Sequence, residues 1–223
     1  MPFAADTDSA SHESIDFAKE NKMSQILLIT SSPRVESYST RVAGKLAQKL
    51  ASRPGSNLTV RDLTRPPLPH IDDSFAVARN TPLELLTSAQ KSALSLSDDL
   101  LAELFAADTL IIAAGMINFG IPSSLKAYID YVVRPGVTFR YANNAPEGLV
   151  RGKKVYLVVA RGGIYSRGAM EAFNFQDTYL KAVLGFMGIT DVEVIAMEGI
   201  GFGPDAAETA VTAALARVDA IAP

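Results

Sequence analysis

Residues 25–41 read QILLITSSPRVESYSTR, and this stretch decides the fold. Its first part, residues 26–29, is a continuous apolar run, which predicts a short strand buried on both faces. Six serine and threonine hydroxyls and two arginines follow, and then a segment with Val42 and Leu46 on one helical face. We expect Ser39 to cap that helix. A buried strand, a polar loop and a helix in this order are typical of a parallel α/β sheet.

The same alternation continues along the rest of the chain. Apolar runs predict four further strands, at residues 58–62, 109–114, 155–160 and 192–196. Helical spacing predicts a helix over residues 98–107, another that begins at Pro122, and a last one that begins at Pro204. Residues 64–81 are rich in proline and read as irregular. Alternating strands and helices predict a parallel sheet with helices on both faces, which binds ligands at the carboxyl ends of its strands.

Composition limits the classes of protein that the chain can belong to. With 223 residues, 48% of them hydrophobic, it suits a single domain, which we place at residues 23–223. Residues 1–22 are acidic and lack apolar periodicity, so we expect them to form a disordered extension. No signal sequence or apolar run of membrane-spanning length is evident.

Charge and rare residues exclude several partners. The net charge is −3 and no basic cluster occurs, so nucleic acid is not an expected partner. Cysteine is absent and the two histidines, His12 and His70, are far apart, so we expect no metal site. The absence of cysteine also fits a cytoplasmic location.

Three loops follow the first, third and fourth predicted strands and share one edge of the sheet. The first, residues 30–41, offers hydroxyls, arginines and a helix N-terminus to a phosphate. The second, residues 115–122, is apolar around Asn118 and suits a flat ring. The third, residues 160–165, has two adjacent glycines, which let backbone N–H groups approach a ligand. Each loop taken alone has a structural alternative: a helix cap, an internal or subunit packing contact, and a plain turn. Together they describe a site for flavin mononucleotide (FMN).

Other motifs are weaker. Residues 201–206 (GFGPDA) match a dinucleotide-binding pattern, but they follow the last strand, so we expect a turn there. No G-x-S-x-G sequence is present, which disfavours a hydrolase built on a serine nucleophile.

Several segments resemble the FMN-dependent NAD(P)H azoreductase family, which is related to the quinone reductases. They are residues 116–119 (MINF), 136–141 (GVTFRY), 146–149 (PEGL), 161–163 (RGG), 185–186 (GF) and 188–191 (GITD). The resemblance runs from about Met23 to the C-terminus. It implies a flavodoxin-like three-layer fold with five parallel strands in the order 2-1-3-4-5. It also implies a homodimer with its pocket between the subunits.

The resemblance also implies site residues. Contacts to the phosphate and ribityl chain are expected from Ser32, Ser39, Thr40 and Arg41. Contacts to the flavin ring are expected from Met116, Ile117, Asn118 and Phe119, and from Ala160, Arg161, Gly162 and Gly163. The substrate side is expected to include Tyr141 and Phe186, from the partner chain, and Tyr165. The family often has tyrosine in place of Ile117 and serine in place of Ala160, and the second difference removes a hydrogen bond of about 0.5–1.5 kcal/mol.

The implied activity is reduction of azo compounds and quinones, with NADH favoured over NADPH as the electron donor. Hydride would pass through flavin N5 in a ping-pong reaction, so no catalytic side chain is expected. The alternative is an electron carrier of the flavodoxin type without its own substrate. A third candidate, hydrolysis of a phosphopantetheine ester on carrier protein, lacks a nucleophile–base pair in this sequence.

Overall fold

The computed structural model describes residues 23–222, so the predicted extension at residues 1–22 lies outside the described part. The strands and helices follow in the order β1 (Gln25–Thr30), α1 (Tyr38–Ala51), β2 (Asn57–Asp62), α2 (Asp73–Ala78), α3 (Ser88–Ala106), β3 (Thr109–Gly115), α4 (Ser123–Val132), β4 (Phe139–Ala142), β5 (Ala145–Gly148), β6 (Lys154–Ala160), α5 (Asp177–Met187), β7 (Asp191–Met197) and α6 (Pro204–Ala220). Short 3-10 turns lie at Leu83–Leu85, Gly168–Phe173 and Ile200–Phe202.

Five parallel strands form the central sheet in the order β2-β1-β3-β6-β7. Counted within the sheet alone this is the order 2-1-3-4-5, so the predicted flavodoxin-like fold is confirmed. The register places Gly115 beside Ala160, and Ala160 beside Met197. The strands β3, β6 and β7 therefore end at the same level, and their following loops leave from one edge of the sheet.

Two cores lie on opposite faces of the sheet, because successive side chains of a strand point to opposite sides. Leu27 and Ile29 of β1 pack with α2, α3, α4 and α5. Ile26 and Leu28 pack with α1 and α6 on the other face. This two-sided burial explains why β1 reads as a continuous apolar run rather than as an alternating one.

Some predicted element boundaries were wrong. The N-cap of α1 is Ser37, not Ser39, which lies within the first turn. Pro122 precedes α4 as its cap rather than opening the helix. The helix expected over residues 98–107 is the second half of α3, and the Pro-rich stretch includes the short helix α2. Pro204 does begin α6, as predicted.

An antiparallel hairpin, β4–β5, was not predicted. Its two-residue turn is made by Asn143 and Asn144, whose φ angles of 53° and 61° suit the right-handed twist of a hairpin. The hairpin packs on α5 so closely that a Cβ built on Gly148 would lie 2.2 Å from the backbone nitrogen of Gly188. Within residues 23–222, no helix combines the length and apolar character needed to cross a membrane.

Candidate functional site

A cleft of about 470 Å³ opens at the carboxyl edge of the sheet, a size within the usual range for small-molecule sites. The loops after β1, β3, β6 and β7 all contribute to its walls. The lining residues are Ser32, Pro33, Arg34, Ser37, Tyr38, Ser39, Gly115, Met116, Ile117, Pro122, Ala160, Gly162, Ile200 and Gly201. Three of the loops are those that the sequence predicted to meet at this edge.

Serine side chains organise the loop after β1. The Ser37 hydroxyl accepts a hydrogen bond from the Thr40 N–H at 3.3 Å and lies 3.1 Å from the Ser39 hydroxyl. Buried Ser31 donates to the Ala113 carbonyl at 2.7 Å, which ties this loop to β3. Among the described residues, the N–H groups of Tyr38 and Ser39 have no hydrogen-bond acceptor. The first turn of α1 therefore offers free donors and a positive dipole end to an anion.

The residues predicted to contact a phosphate are divided between two adjoining clefts. Ser32 and Ser39 line the 470 Å³ cleft, whereas Thr40 and Arg41 line a second cleft of about 370 Å³. Arg34 lines both. The Arg41 guanidinium carbon lies 5.5 Å from the centre of the ring of Tyr38, a residue that lines both clefts.

A tight turn shapes the loop after β3. Ile117 and Gly120 exchange two backbone hydrogen bonds of 3.0 Å, and Asn118 and Phe119 between them have φ angles of 47° and 70°. Met116 and Ile117 line the cleft, whereas Asn118 and Phe119 do not. Ile117 is 46% exposed and Phe119 is 40% exposed. Apolar side chains held open at the mouth of a cleft are typical of a binding surface.

The loop after β6 presents backbone donors. The carbonyls of Gly162 and Gly163 accept hydrogen bonds from the N–H groups of Gly201 and Gly199, at 2.9 and 3.0 Å. The N–H groups of Gly162 and Gly163 make no hydrogen bond with any part of residues 23–222. Because Gly162 lines the cleft, its N–H group is available to the polar edge of a ligand, and Gly163 is the next residue along the chain.

The connection from β7 to α6 belongs to the site and was missed in the sequence analysis. Ile200 and Gly201 line the cleft, although residues 201–206 were interpreted as a plain turn. The available signal was position: this glycine-rich segment follows the fifth strand, so it leaves from the same edge of the sheet as the other three loops.

Arg161, which was predicted to contact the cofactor, is not among the residues that line the cleft. Its side chain is 2% exposed. Its Nε donates to the Gln176 side-chain oxygen at 3.0 Å and its Nη1 to Glu198 at 2.9 Å, while Nη2 pairs with Asp177. Its backbone N–H is also engaged, by the Met197 carbonyl at 2.8 Å. The guanidinium therefore points into the protein, beneath the loop.

The carboxylates around Arg161 are held in their charged form. Burial alone would raise the pKa of Glu198, but hydrogen bonds from Ser166, the Tyr165 N–H and Arg161 outweigh it and lower that pKa. Burial would likewise raise the pKa of Asp177, and its contacts with Lys181, Asn174 and Arg161 lower it instead.

The residues predicted on the substrate side form separate aromatic groups. The Phe139 ring lies 4.5 Å from Phe186 and 5.9 Å from Tyr141 between ring centres, on the hairpin and α5. The Tyr165 ring instead lies 6.2 Å from the Phe119 ring, between ring centres. None of the three predicted residues lines the 470 Å³ cleft within the described chain.

The cleft has little acid–base capacity of its own. Of its described lining residues, Arg34 and Tyr38 carry ionisable side chains. Residues 23–222 also contain no group of three His, Cys, Asp or Glu side chains placed to hold a metal ion. Such a cleft is suited to hold and orient a reactive molecule rather than to supply a proton-transfer pair.

Comparison with known proteins agrees with this geometry. Residues 24–222 match a protein family that is described as having a flavodoxin-like fold. It is 56% identical over 201 residues to FMN-dependent NADH:quinone oxidoreductase 1 of Rhizobium etli, covering 90% of this chain and 98% of that protein. It is 52% identical over 202 residues to FMN-dependent NADH:quinone oxidoreductase of Agrobacterium fabrum, with coverage of 90% and 98%.

A solved structure gives the same result. The crystal structure of azoreductase from Bacillus anthracis superposes with a TM-score of 0.81 at 28% identity, covering 88% of this chain and 97% of that one. The resemblance inferred from the sequence motifs is thereby confirmed. This chain belongs to the family with the flavodoxin-like fold, together with these relatives.

Proposed function

We propose that this chain is an FMN-dependent oxidoreductase that takes electrons from NADH and reduces quinones and azo compounds. The observation that carries the proposal is one cleft that combines free N–H donors at the start of α1, an apolar shelf and the free N–H group of Gly162. The relatives named as NADH:quinone oxidoreductases and azoreductases support it, and they favour an enzyme over an electron carrier.

The residues of the cleft fit FMN part by part. The N–H groups of Tyr38 and Ser39, with the hydroxyls of Ser32 and Ser37, fit a phosphate. The apolar side chains of Met116 and Ile117 fit the face of a flat ring. Bound FMN would supply the hydride and electron transfer between a nicotinamide and the acceptor, chemistry that belongs to the cofactor rather than to side chains.

The chain's own contribution is orientation and electrostatics. We propose that the free N–H groups of Gly162 and Gly163 stabilise the negative charge that develops on the polar edge of the ring. Met116 and Ile117 keep water from one wall of the cleft. Ala160 has no hydroxyl to add to this edge, and we propose that FMN affinity is lower by about 0.5–1.5 kcal/mol than with serine there.

Assembly and substrate access form part of the same proposal. We propose a homodimer in which Tyr141 and Phe186 of one protomer line the substrate side of the other protomer's cleft. Tyr141 is 72% exposed, and Phe119, Phe173 and Phe175 are also exposed, as expected for a surface that a second subunit covers. NADH and small aromatic acceptors would then use the same cleft in turn, in a ping-pong sequence. A cytoplasmic location is proposed from the sequence alone.

The visible spectrum of the purified protein, loaded with FMN where needed, tests the proposal. We expect flavin absorption bands that bleach on anaerobic addition of NADH and return when a quinone is added. NADPH in place of NADH is the matched comparison for donor preference. A folded protein that neither binds FMN nor oxidises NADH would contradict the proposal.

A further inference from the structure

The buried guanidinium of Arg161 connects the loops that build the cleft. Through Gln176 it reaches the end of β3, because the Gln176 side-chain N–H donates to the Ala114 carbonyl at 3.1 Å. Through Glu198 it reaches the loop after β6, because Glu198 also accepts from the Tyr165 N–H at 2.8 Å. Gln176 is fully buried, so these contacts are shielded from water.

The backbone around Arg161 forms a matching set of contacts. The Arg161 carbonyl accepts from the Ile200 N–H at 3.2 Å, and the next two carbonyls accept from the N–H groups of Gly201 and Gly199. A Cβ on Gly201 would lie 3.0 Å from the Gly162 oxygen, so the loop after β6 and the segment after β7 are in close backbone contact. With its carbonyls fixed in this way, the loop has its N–H groups left for a ligand.

The cluster's charges balance, which points to a geometric role. Arg161 and Lys181 carry two positive charges, and Asp177 and Glu198 carry two negative ones, with Lys181 Nζ 2.9 Å from Asp177. A balanced cluster adds little net field at the cleft. Its effect on a ligand is therefore exerted through the position of the loop that it holds.

We propose that Arg161 is a positioning residue for flavin, which fixes the N–H groups of Gly162 and Gly163 at the polar edge of the ring without touching it. The inference rests on the proposed function and deepens it. Three different acceptors surround the three guanidinium nitrogens, a geometry that lysine cannot reproduce although it keeps the charge. Loosening these contacts moves the two N–H donors. This weakens the binding of reduced flavin more than that of oxidised flavin, because the reduced ring carries more negative charge.

The variant Arg161→Lys tests this inference, with Arg134→Lys as the matched control. Arg134 is also largely buried, 11% exposed, and pairs with Asp98, but it lies beyond α4 and outside the cleft. For Arg161→Lys we expect reduced FMN to bind about tenfold more weakly relative to oxidised FMN. That factor corresponds to a midpoint potential about 30 mV more negative for a two-electron couple. For Arg134→Lys we expect the wild-type potential and a lower melting temperature of the apoprotein.

A second variant, Gly201→Ala, displaces the Gly162 carbonyl and keeps the Arg161 side chain with its three partners. The added methyl presses on the Gly162 carbonyl, so we expect a more negative potential here too. A wild-type potential in folded Arg161→Lys overturns the inference. If Arg161→Lys does not fold, a wild-type potential in Gly201→Ala overturns it. Wild-type protein that binds no FMN would instead contradict the proposed function, so the two failures are distinguishable.

Discussion

Replacing Gly148 with alanine would test how the β4–β5 hairpin is held against α5. The new Cβ would lie 2.2 Å from the Gly188 nitrogen and 2.3 Å from the Met187 carbonyl carbon. Those atoms cannot easily withdraw, since Gly188 ends α5 with a φ of 100° and its N–H donates to the Gly185 carbonyl. The hairpin must therefore move away by roughly 1 Å to restore ordinary contact distances.

The expected cost follows from that displacement. Overpacking in a well-packed region costs about 1–3 kcal/mol, and a backbone-to-backbone overlap belongs at the upper end. Moving the hairpin also separates the Phe139 and Phe186 rings, now 4.5 Å apart, a contact of about 0.5–1.5 kcal/mol. For a chain of this size, a total of about 3–4 kcal/mol lowers the melting temperature by roughly 6–16 °C.

Thermal and guanidinium denaturation of the apoprotein measure this cost. Gly185→Ala is the control, because it adds the same methyl within α5 where no heavy atom lies within 4 Å. We expect that control to be more stable than wild type by about 0.5–1 kcal/mol, from helix propensity. A Gly148→Ala protein within about 1 kcal/mol of wild type would refute the close packing of the hairpin on α5.

Three further changes have expected outcomes. Ser37→Ala removes the N-cap of α1 and should lower the free energy of unfolding by about 1 kcal/mol in urea titrations, whereas an unchanged value would contradict the capping role. Asn118→Ala places alanine at a φ of 47° and should cost about 1–2 kcal/mol by the same assay, while Asn118→Gly should cost less. Because the pKa of Glu198 is lowered in the folded state, its ionised carboxylate stabilises the fold at pH values above the ordinary pKa of 4.5. This stabilisation is lost as the pH falls through the lowered pKa. Melting temperatures should therefore drop below pH 4.5, and less steeply in Glu198→Gln.

The centre of the sheet could be predicted from sequence because β1, β3 and β6 are buried on both faces. Residues 26–29 of β1 are all apolar, so their pattern clearly predicts a buried strand. The hairpin could not be predicted in this way, since β4 and β5 have four residues each, half of these residues are exposed, and β5 includes Pro146. Ser37 and Ser39 are equally good caps by residue type, and the backbone alone decides between them.

The site was predictable in position but not in detail. Parallel strands oblige their following loops to share an edge, so the loops after β1, β3 and β6 could be grouped from the sequence. The direction of the Arg161 side chain could not be foreseen. Its partners Gln176, Asp177 and Glu198 lie 15, 16 and 37 residues away along the chain, where no local pattern connects them.

The fully buried Gln176 amide offers a view of motion in the cleft walls. Its N–H group donates to the Ala114 carbonyl, and its oxygen accepts from Arg161. Protons so enclosed exchange with deuterium in the solvent only when the surrounding segments part. The exchange rate of this side-chain amide, measured by NMR, therefore reports how often the segments around the cleft separate. Slower exchange on adding FMN would show that the ligand holds these segments together.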